Sequence, residues 1–332
     1  MTYYRPLVQH GEARPEGAVP LAGGSALWFS EVELLSRDGP PRLMPAGLIP
    51  EEVRHRLSFR RAAICGLDMT QPQIMGILNV TPDSFSDGGR HAEVKAASAA
   101  ALRMVEEGAT IIDVGGESTR PGADFIPEEE EIARTVPAIE AIRASSSVAI
   151  SIDTRKAPVA VEALEAGAGL INDVSGFTFD AALAPVAAQA GVPVCVMHAQ
   201  GDPATMQEAP SYDNVLLDVY DFLSEQVDRL EAIGVLRDQI VIDPGIGFGK
   251  TLEHNLALLR GLSLFHGLGC PVLLGVSRKG FIGKIGAAAQ ADQRAPGSIA
   301  VGLAGLAQGV QILRVHDVAD TVQAVRLWQA VR

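Results

Sequence analysis

Cysteine, aromatic rings and positive charge are all scarce in this 332-residue chain, and so is any uniformly apolar stretch long enough for a bilayer. The three cysteines, Cys65, Cys195 and Cys270, are isolated, with no C-x-x-C pair and no cysteine–histidine cluster. That excludes a disulfide framework and a structural zinc site, and makes a cytoplasmic compartment the expectation. The formal net charge of −13 argues against a nucleic-acid-binding face. Small anions remain admissible ligands, because a local cationic cluster can oppose the global sign. Residues 1–17 lack a basic flank followed by an apolar run, so no signal peptide is expected. Residues 295–313 are uncharged, but Pro296, Gln308, Gln311 and several glycines interrupt them. They read as a Gly- and Ala-rich helix running into a strand, and no membrane contact is expected.

What is present is aliphatic: 47% of the chain is hydrophobic but only 5% aromatic, so Ala, Val, Leu, Ile and Gly carry the apolar load. From residue 73 onward one grammar repeats: a short apolar run, a polar loop, a helical segment. The runs are 74–78, 110–112, 148–152, 169–171, 192–197, 239–242, 272–276 and 310–313. Continuous rather than alternating runs mark parallel strands buried on both faces. The clearest helix spans 213–233, where Leu216, Tyr220, Leu223, Val227 and Leu230 recur at spacings of four and three. Eight strand–helix units predict an α/β fold, a (β/α)8 TIM barrel over residues 71–332. A doubly wound open sheet is the alternative, weakened by the absence of a G-x-G-x-x-G turn after the first strand. Residues 1–70 break the pattern, with one strand-like piece (26–35) and one helix-like piece (50–61) among prolines and glycines. They read as an N-terminal extension packed on the barrel, with a partly disordered tail as the alternative. The acidic run 128–131 reads as the first turn of a helix, where the macrodipole favours it.

A barrel of this kind places its chemistry where strands end and the following loops begin. Those positions carry Asn79, Asp113, Asp153, Asn172, His198, Asp243, then Ser277 with Arg278 and Lys279, and Arg314 with His316. Each has a structural alternative. Asp113 and Asp153 can cap helices or turns, Asp173 reads as a turn residue, and His198 reads as a packing histidine. Acids, amides and cations gathered at one mouth are harder to explain as caps, since a buried carboxylate costs several kcal/mol unless paired.

The loops sharpen this. The first strand runs into TPDSFSDGG (81–89), polar and glycine-ended yet carrying a phenylalanine at its centre. Residues 115–122, GGESTRPG, combine glycines, two hydroxyls and a guanidinium, a loop suited to handling an anion and closing over it. Residues 243–250, DPGIGFGK, place an aspartate at a strand end, followed by glycines that let a flat ligand approach the backbone. Lys250 reads first as a solvated loop charge, with a functional role as the alternative.

Together, segments 75–90, 112–122, 243–250, 277–279 and 314–317 resemble the signature segments of the dihydropteroate synthase family, in order and spacing. NVTPDSFSDGG with GGESTRPGA is the most specific part; the N-terminal extension lies outside the typical family core. The resemblance implies a barrel that joins 6-hydroxymethyl-7,8-dihydropterin diphosphate to p-aminobenzoate and releases pyrophosphate. It implies a pterin slot lined by Asp153, Asn172 and Asp243, with Lys279 reaching the same ring and Met197 as an apolar wall. A pterin's aminopyrimidinone edge presents adjacent N–H donors, which a carboxylate accepts in pairs. Asn79 is expected to hold Mg2+ through its side-chain oxygen and to share the diphosphate with Thr119, Arg314 and His316. The implied reaction resembles SN1 chemistry, in which Asp87 places negative charge beside a pterin cation, and Arg120 and Lys279 join it as catalytic groups. Phe85, Thr119, Arg120, Pro121 and Gly280 would form the p-aminobenzoate pocket, making the phenylalanine-tipped loop a lid that excludes water. Where the family often has serine after Arg-Lys, this chain has Gly280, which keeps the N–H but lacks the hydroxyl.

The family is a sulfonamide target and is typically dimeric through its last helices. Gly297, Gly302 and Gly305 would let helices approach closely, so a homodimer is expected; packing of this helix on its own barrel is the alternative. Two other functions remain open. A methyltetrahydrofolate-type pterin methyltransferase would share the slot but need neither the Thr119-Arg120 loop nor Phe85. An idle pterin-binding paralogue would not need Asn79, Asp87, Lys279, Arg314 and His316, all present here.

Overall fold

Proline and glycine cut the N-terminal residues into pieces too short to stand alone, and these pair into two small antiparallel sheets. The computed structural model describes residues 2–11, 13–24, 26–80, 90–118, 125–201, 206 and 208–331. Strands β1 (Tyr3–Pro6), β2 (Gln9–His10), β3 (Val19–Pro20), β4 (Leu27–Phe29), β5 (Glu31–Leu35) and β6 (Arg42–Pro45) arrange as β1-β5-β6 and β2-β4-β3. Along β5 the period of two buries Val32 and Leu34 and exposes Glu31. The helix Glu51–Ser58 starts after Pro50 and carries Glu51 and Glu52 in its first turn, where the dipole favours them. Phe29, Val32, Ile49 and Leu57 form a separate small core, each burial contributing about 1.5–3 kcal/mol. This unit sits on the outer helical layer of the barrel. Tyr3 packs with Leu217 and Leu264, and its hydroxyl donates to Asp221 at 2.8 Å. Beyond it, Ile64 and Met69 fill the lower end of the barrel beside Met75, Ile111 and Leu170.

Strands β7 (Gln73–Asn79), β8 (Ile111–Gly115), β9 (Ala149–Asp153), β10 (Leu170–Asp173), β11 (Val194–Met197), β12 (Ile240–Asp243), β13 (Leu273–Leu274) and β14 (Ile312–Val315) form one parallel sheet. Its order is β12-β11-β10-β9-β8-β7-β14-β13, and a parallel bridge between Ile242 and Val272 closes the ring. The outward faces carry Ile112, Ile150, Ile171 and Val194, which pack under helices such as Val215–Ile233. That helix is capped by the Asn214 side chain and stopped by Gly234 in the left-handed region. Among the described residues no helix is long and apolar enough to cross a membrane.

The inward faces position the site. Met75, Ile111, Leu170, Cys195, Val241, Leu273 and Ile312 make an apolar layer near the strand starts. Side chains alternate with a period of two, so the next inward positions are Ile77, Asp113, Asn172, Met197, Asp243, Gly275 and Arg314. The upper layer of the barrel is therefore largely polar.

The structure departs from the sequence reading at several places. Asp113 lies in the middle of β8 rather than at its end, and Arg314 lies inside β14. Inward polar groups can meet one another within a barrel, so loss of apolar character does not mark where a strand stops. The run 272–276 shrinks to Leu273–Leu274. In the helix Ala295–Ala307, a Cβ on Gly297 would stand 2.3 Å from Ile282, and one on Gly305 would stand 2.5 Å from Leu274. Those glycines serve packing within the chain, so they give no support to a dimer. The acidic run belongs to the helix Glu128–Arg143, but Glu131 is fully buried and pairs with Lys156 at 2.7 Å.

Candidate active site

Four inward polar groups close on one another. Arg314 donates from Nε to Asp113 Oδ2 at 2.6 Å and from Nη2 to Asp153 Oδ2 at 2.7 Å. Asn172 Nδ2 donates to the same Asp113 oxygen at 3.2 Å. Asn172 is the register partner of Asp153 across β10–β9, and Asp153 is the partner of Gly115, two residues beyond Asp113, across β9–β8. Among the described residues Asp113 Oδ1 and Asp153 Oδ1 are buried without a hydrogen-bond partner, and so offer acceptors to a ligand. Burial pushes the Asp153 carboxyl up, and the Arg314 charge pulls against it. Burial also opposes the Arg314 charge, but Asp113 and Asp153 outweigh it and hold the guanidinium cationic.

A second cluster lies across the mouth. Asp243 ends β12 and its Oδ1 accepts from the Gly245 N–H at 2.7 Å. Met197 is its buried register partner on β11. Burial pushes the Asp243 carboxyl up, with Lys279 opposing. Lys279 donates to the Ile246 carbonyl, and its Nζ stands 4.4 Å from the centre of the Phe248 ring. Burial lowers its pKa to about 8, with Asp243 pulling the other way. Gly245 is required at φ 67°, since a Cβ there would stand 1.8 Å from the His198 carbonyl oxygen. Beside Phe248 opens a pocket of about 330 Å³ lined by Arg155, Val174, Ser175, Phe179 and Met206, among others.

Other expected residues sit around these. His316 meets Ser277 Oγ through its backbone N–H at 3.1 Å and through Nδ1 at 2.9 Å. Gly280 opens the helix Gly280–Ile285, and a Cβ there would meet nothing within 4 Å. Asn79, half-buried at the end of β7, is the register partner of Gly115. Arg278 is engaged elsewhere: it pairs with Asp317, and its N–H donates to Ser298 Oγ at 2.8 Å. Asp173 fastens its own turn, accepting from the N–H groups of Ser175 and Phe177, both at 2.7 Å. Phe85, Asp87, Thr119, Arg120 and Pro121 lie outside the described residues.

Two residues stand differently from the sequence reading. Asp113 is left out of the expected pterin slot, although it lies two residues beyond inward-facing Ile111, in phase with the layer above. Lys250 is no solvated loop charge: it is buried against His198. His198 itself is buried in a ring contact with Phe222, and burial lowers its pKa to about 2, so it stays neutral.

The family model described as "Pterin binding enzyme" matches residues 75–316. Dihydropteroate synthase of Escherichia coli (strain K12) is 48% identical over 264 residues, spanning 80% of this chain and 93% of that protein. The solved dihydropteroate synthase of Xanthomonas albilineans with 4-aminobenzoic acid is 45% identical, with a TM-score of 0.77 over 82% of this chain and 97% of its own. The Yersinia pestis dihydropteroate synthase solved as a sulfonamide drug complex gives the same identity, 45%, and TM-score, 0.77, covering 82% of this chain and 99% of that one. Matched in sequence along its barrel and in the arrangement of its strands, the chain belongs to the pterin-binding enzyme family, among the dihydropteroate synthases.

Proposed function

We propose that this chain condenses 6-hydroxymethyl-7,8-dihydropterin diphosphate with p-aminobenzoate, giving 7,8-dihydropteroate and pyrophosphate. The observation that carries the reading is the convergence of acceptors on Asp153, Asn172 and Asp243 with the cations of Lys279 and Arg314 at one barrel mouth. Asp243 and Asp153 accept the paired N–H groups of the pterin edge, Asn172 fixes the ring's position, Lys279 reaches the ring, and Met197 covers one face. Arg314 and His316, with Thr119, hold the diphosphate.

The carbon–oxygen bond to the diphosphate breaks first, and pyrophosphate leaves with the electron pair. Asp87 holds negative charge beside the pterin cation, and Arg120 offsets anionic charge. The p-aminobenzoate nitrogen then donates its lone pair to the methylene carbon and gives up a proton to the released pyrophosphate. Phe85 and Pro121 keep water from the cation, while the Gly280 N–H at the start of its helix meets the carboxylate.

The residues present fit a magnesium ion. Asn79 offers a hard amide oxygen at the end of β7, and a Cβ on Gly115 would stand within ordinary contact of it at 3.9 Å, so nothing bulky crowds that oxygen from this neighbour. Magnesium takes few protein ligands, and Asn79 would be one of them. When bound, the ion would offset charge on the diphosphate.

We further propose a cytoplasmic homodimer joined through the last helices and inhibited by sulfonamides in place of p-aminobenzoate. What supports the dimer face is Leu327 and Val331, exposed on the helix Val318–Val331. Sedimentation giving only monomer at micromolar concentration overturns that part.

Incubating the protein with both substrates and Mg2+ and measuring dihydropteroate and pyrophosphate tests the function; absence of both products overturns it. Calorimetry of pterin binding to Asp243→Asn tests the slot. An amide N–H2 facing the ring's donors should cost about 1–3 kcal/mol for each donor left unpaired, and unchanged affinity removes Asp243 from the slot.

A further inference from the structure

Lys250 closes the loop that follows β12, and only 3% of it is exposed. Its Nζ reaches the Phe248 carbonyl at 2.9 Å, the His198 carbonyl at 3.3 Å and His198 Nδ1 at 2.9 Å. One side chain thus ties its own loop to the residue that follows β11. Ordering a lysine side chain costs rotamer entropy, and burying its amine costs more, so such a placement persists only where the partners over-determine it. Burial draws the amine well below the usual lysine range, and the Lys279 charge adds to the effect. In either protonation state Nζ can donate to both carbonyls, while the tautomer of His198 sets the direction of the third contact.

The loop it ties down is also fastened to itself: the Gly245 N–H donates to Asp243 Oδ1 at 2.7 Å and the Phe248 N–H to the Gly245 carbonyl at 3.2 Å. Asn255 Oδ1 accepts from the Gly247 N–H at 2.6 Å, and the Tyr212 hydroxyl donates to the Gly249 carbonyl at 2.7 Å. A Cβ on Gly249 would stand 2.4 Å from the Gln200 carbonyl oxygen, so the two backbones are in direct contact. The same loop holds Lys279, through the Ile246 carbonyl and the Phe248 ring.

We infer that Lys250 is a positioning residue: by pinning the Phe248 carbonyl to His198 it fixes the Ile246 carbonyl and Phe248 ring that hold Lys279 in the pterin slot. It touches no substrate and acts through Lys279, so the inference rests on the reading of Lys279 as a pterin contact.

Lys250→Met keeps the length of the side chain and removes its donors. The folded variant is expected to raise the KM for the pterin diphosphate about tenfold or more, with kcat held within about threefold and the KM for p-aminobenzoate within about twofold. A lysine that only supported the fold would lower Tm and leave the KM of the folded enzyme unchanged, and that result overturns the inference. Should Lys250→Met fail to fold, His198→Leu removes one partner of Nζ from the opposite side. It should raise the same KM by about threefold; an unchanged KM overturns the inference. A wild type that makes no dihydropteroate overturns the functional reading and this inference together. A wild type that makes it, beside a Lys250→Met enzyme of unchanged KM, overturns this inference alone.

Discussion

Arg314 Nε lies 2.6 Å from Asp113 Oδ2, although 201 residues separate them in the chain. The same carboxylate oxygen accepts from Asn172 at 3.2 Å. One buried acid thereby orients a group assigned to the diphosphate and a group assigned to the pterin. Its loss should be felt in both.

Asp113→Asn keeps the shape of that side chain while weakening its hold on the guanidinium. We expect kcat/KM for the pterin diphosphate to fall about 10- to 100-fold, or about 1.4–2.7 kcal/mol, with the KM for p-aminobenzoate little changed. Steady-state kinetics on the folded variant decide it. An unchanged kcat/KM would mean that Asp153 alone suffices to hold Arg314.

Lys279 sets an alkaline limit. Burial lowers its pKa to about 8, so the ammonium is complete below that pH and is lost as pH rises through it. Pterin binding that needs the ammonium should follow, with kcat/KM falling about tenfold per unit above about pH 8. Lys279→Gln should be slower and should lose that alkaline limb. A wild-type profile flat to about pH 9.5 would show that the protonated form is not required.

Gly280 offers a gain-of-affinity test. A Cβ there meets nothing within 4 Å, so Gly280→Ser should fold as the wild type does. Its hydroxyl would add a charge-assisted hydrogen bond to the p-aminobenzoate carboxylate, worth about 1.5 kcal/mol and so about a tenfold lower KM. The pterin KM should not move. If the p-aminobenzoate KM is also unmoved, the carboxylate does not sit at this helix start.

Asp87 and Phe85 divide their effects. A carboxylate about 4 Å from a unit cation gains about 4 kcal/mol at an effective dielectric of 20, before solvent screening reduces it. Asp87→Asn should therefore cost about two orders of magnitude in kcat, roughly 2.7 kcal/mol, with pterin affinity nearly intact. Phe85→Ala should instead raise the KM for p-aminobenzoate. A near-native kcat for Asp87→Asn reduces the loop to a cover.

The barrel is legible because apolar runs of parallel strands keep their character whatever surrounds them, and because strand phase carries from one layer to the next. Asn172, Asp243 and Arg314 each lie two residues beyond an inward apolar residue, which is why a reading by strand ends reaches them. Phase does not say which polar groups will meet, so Asp113 reads as a cap when it is a shared acceptor. Lys250 is hidden for a different reason. A lysine after three glycines in a loop looks solvated, and its partners, two carbonyls and a ring nitrogen, leave no mark in the local sequence. The N-terminal sheets are obscured by pairing out of chain order, as in β1-β5-β6.

The ring of strands is unevenly sewn. Strands β7 and β8 pair over five residues, whereas among the described residues β12 joins the far end of the sheet at the single bridge of Ile242 with Val272, the residue before β13. Opening free energies are lowest where the fewest backbone bonds must break together, so this junction is where the native barrel should breathe first. Amides of Leu273 and Leu274 should exchange with deuterium sooner than those of Ile112 and Ile150, and equal protection would mean the ring opens as one unit. Asp243 stands on one lip of that junction and Lys279 on the other, so a pterin gripped by both would act as a suture. Ligand binding should then slow exchange there more than anywhere else in the sheet.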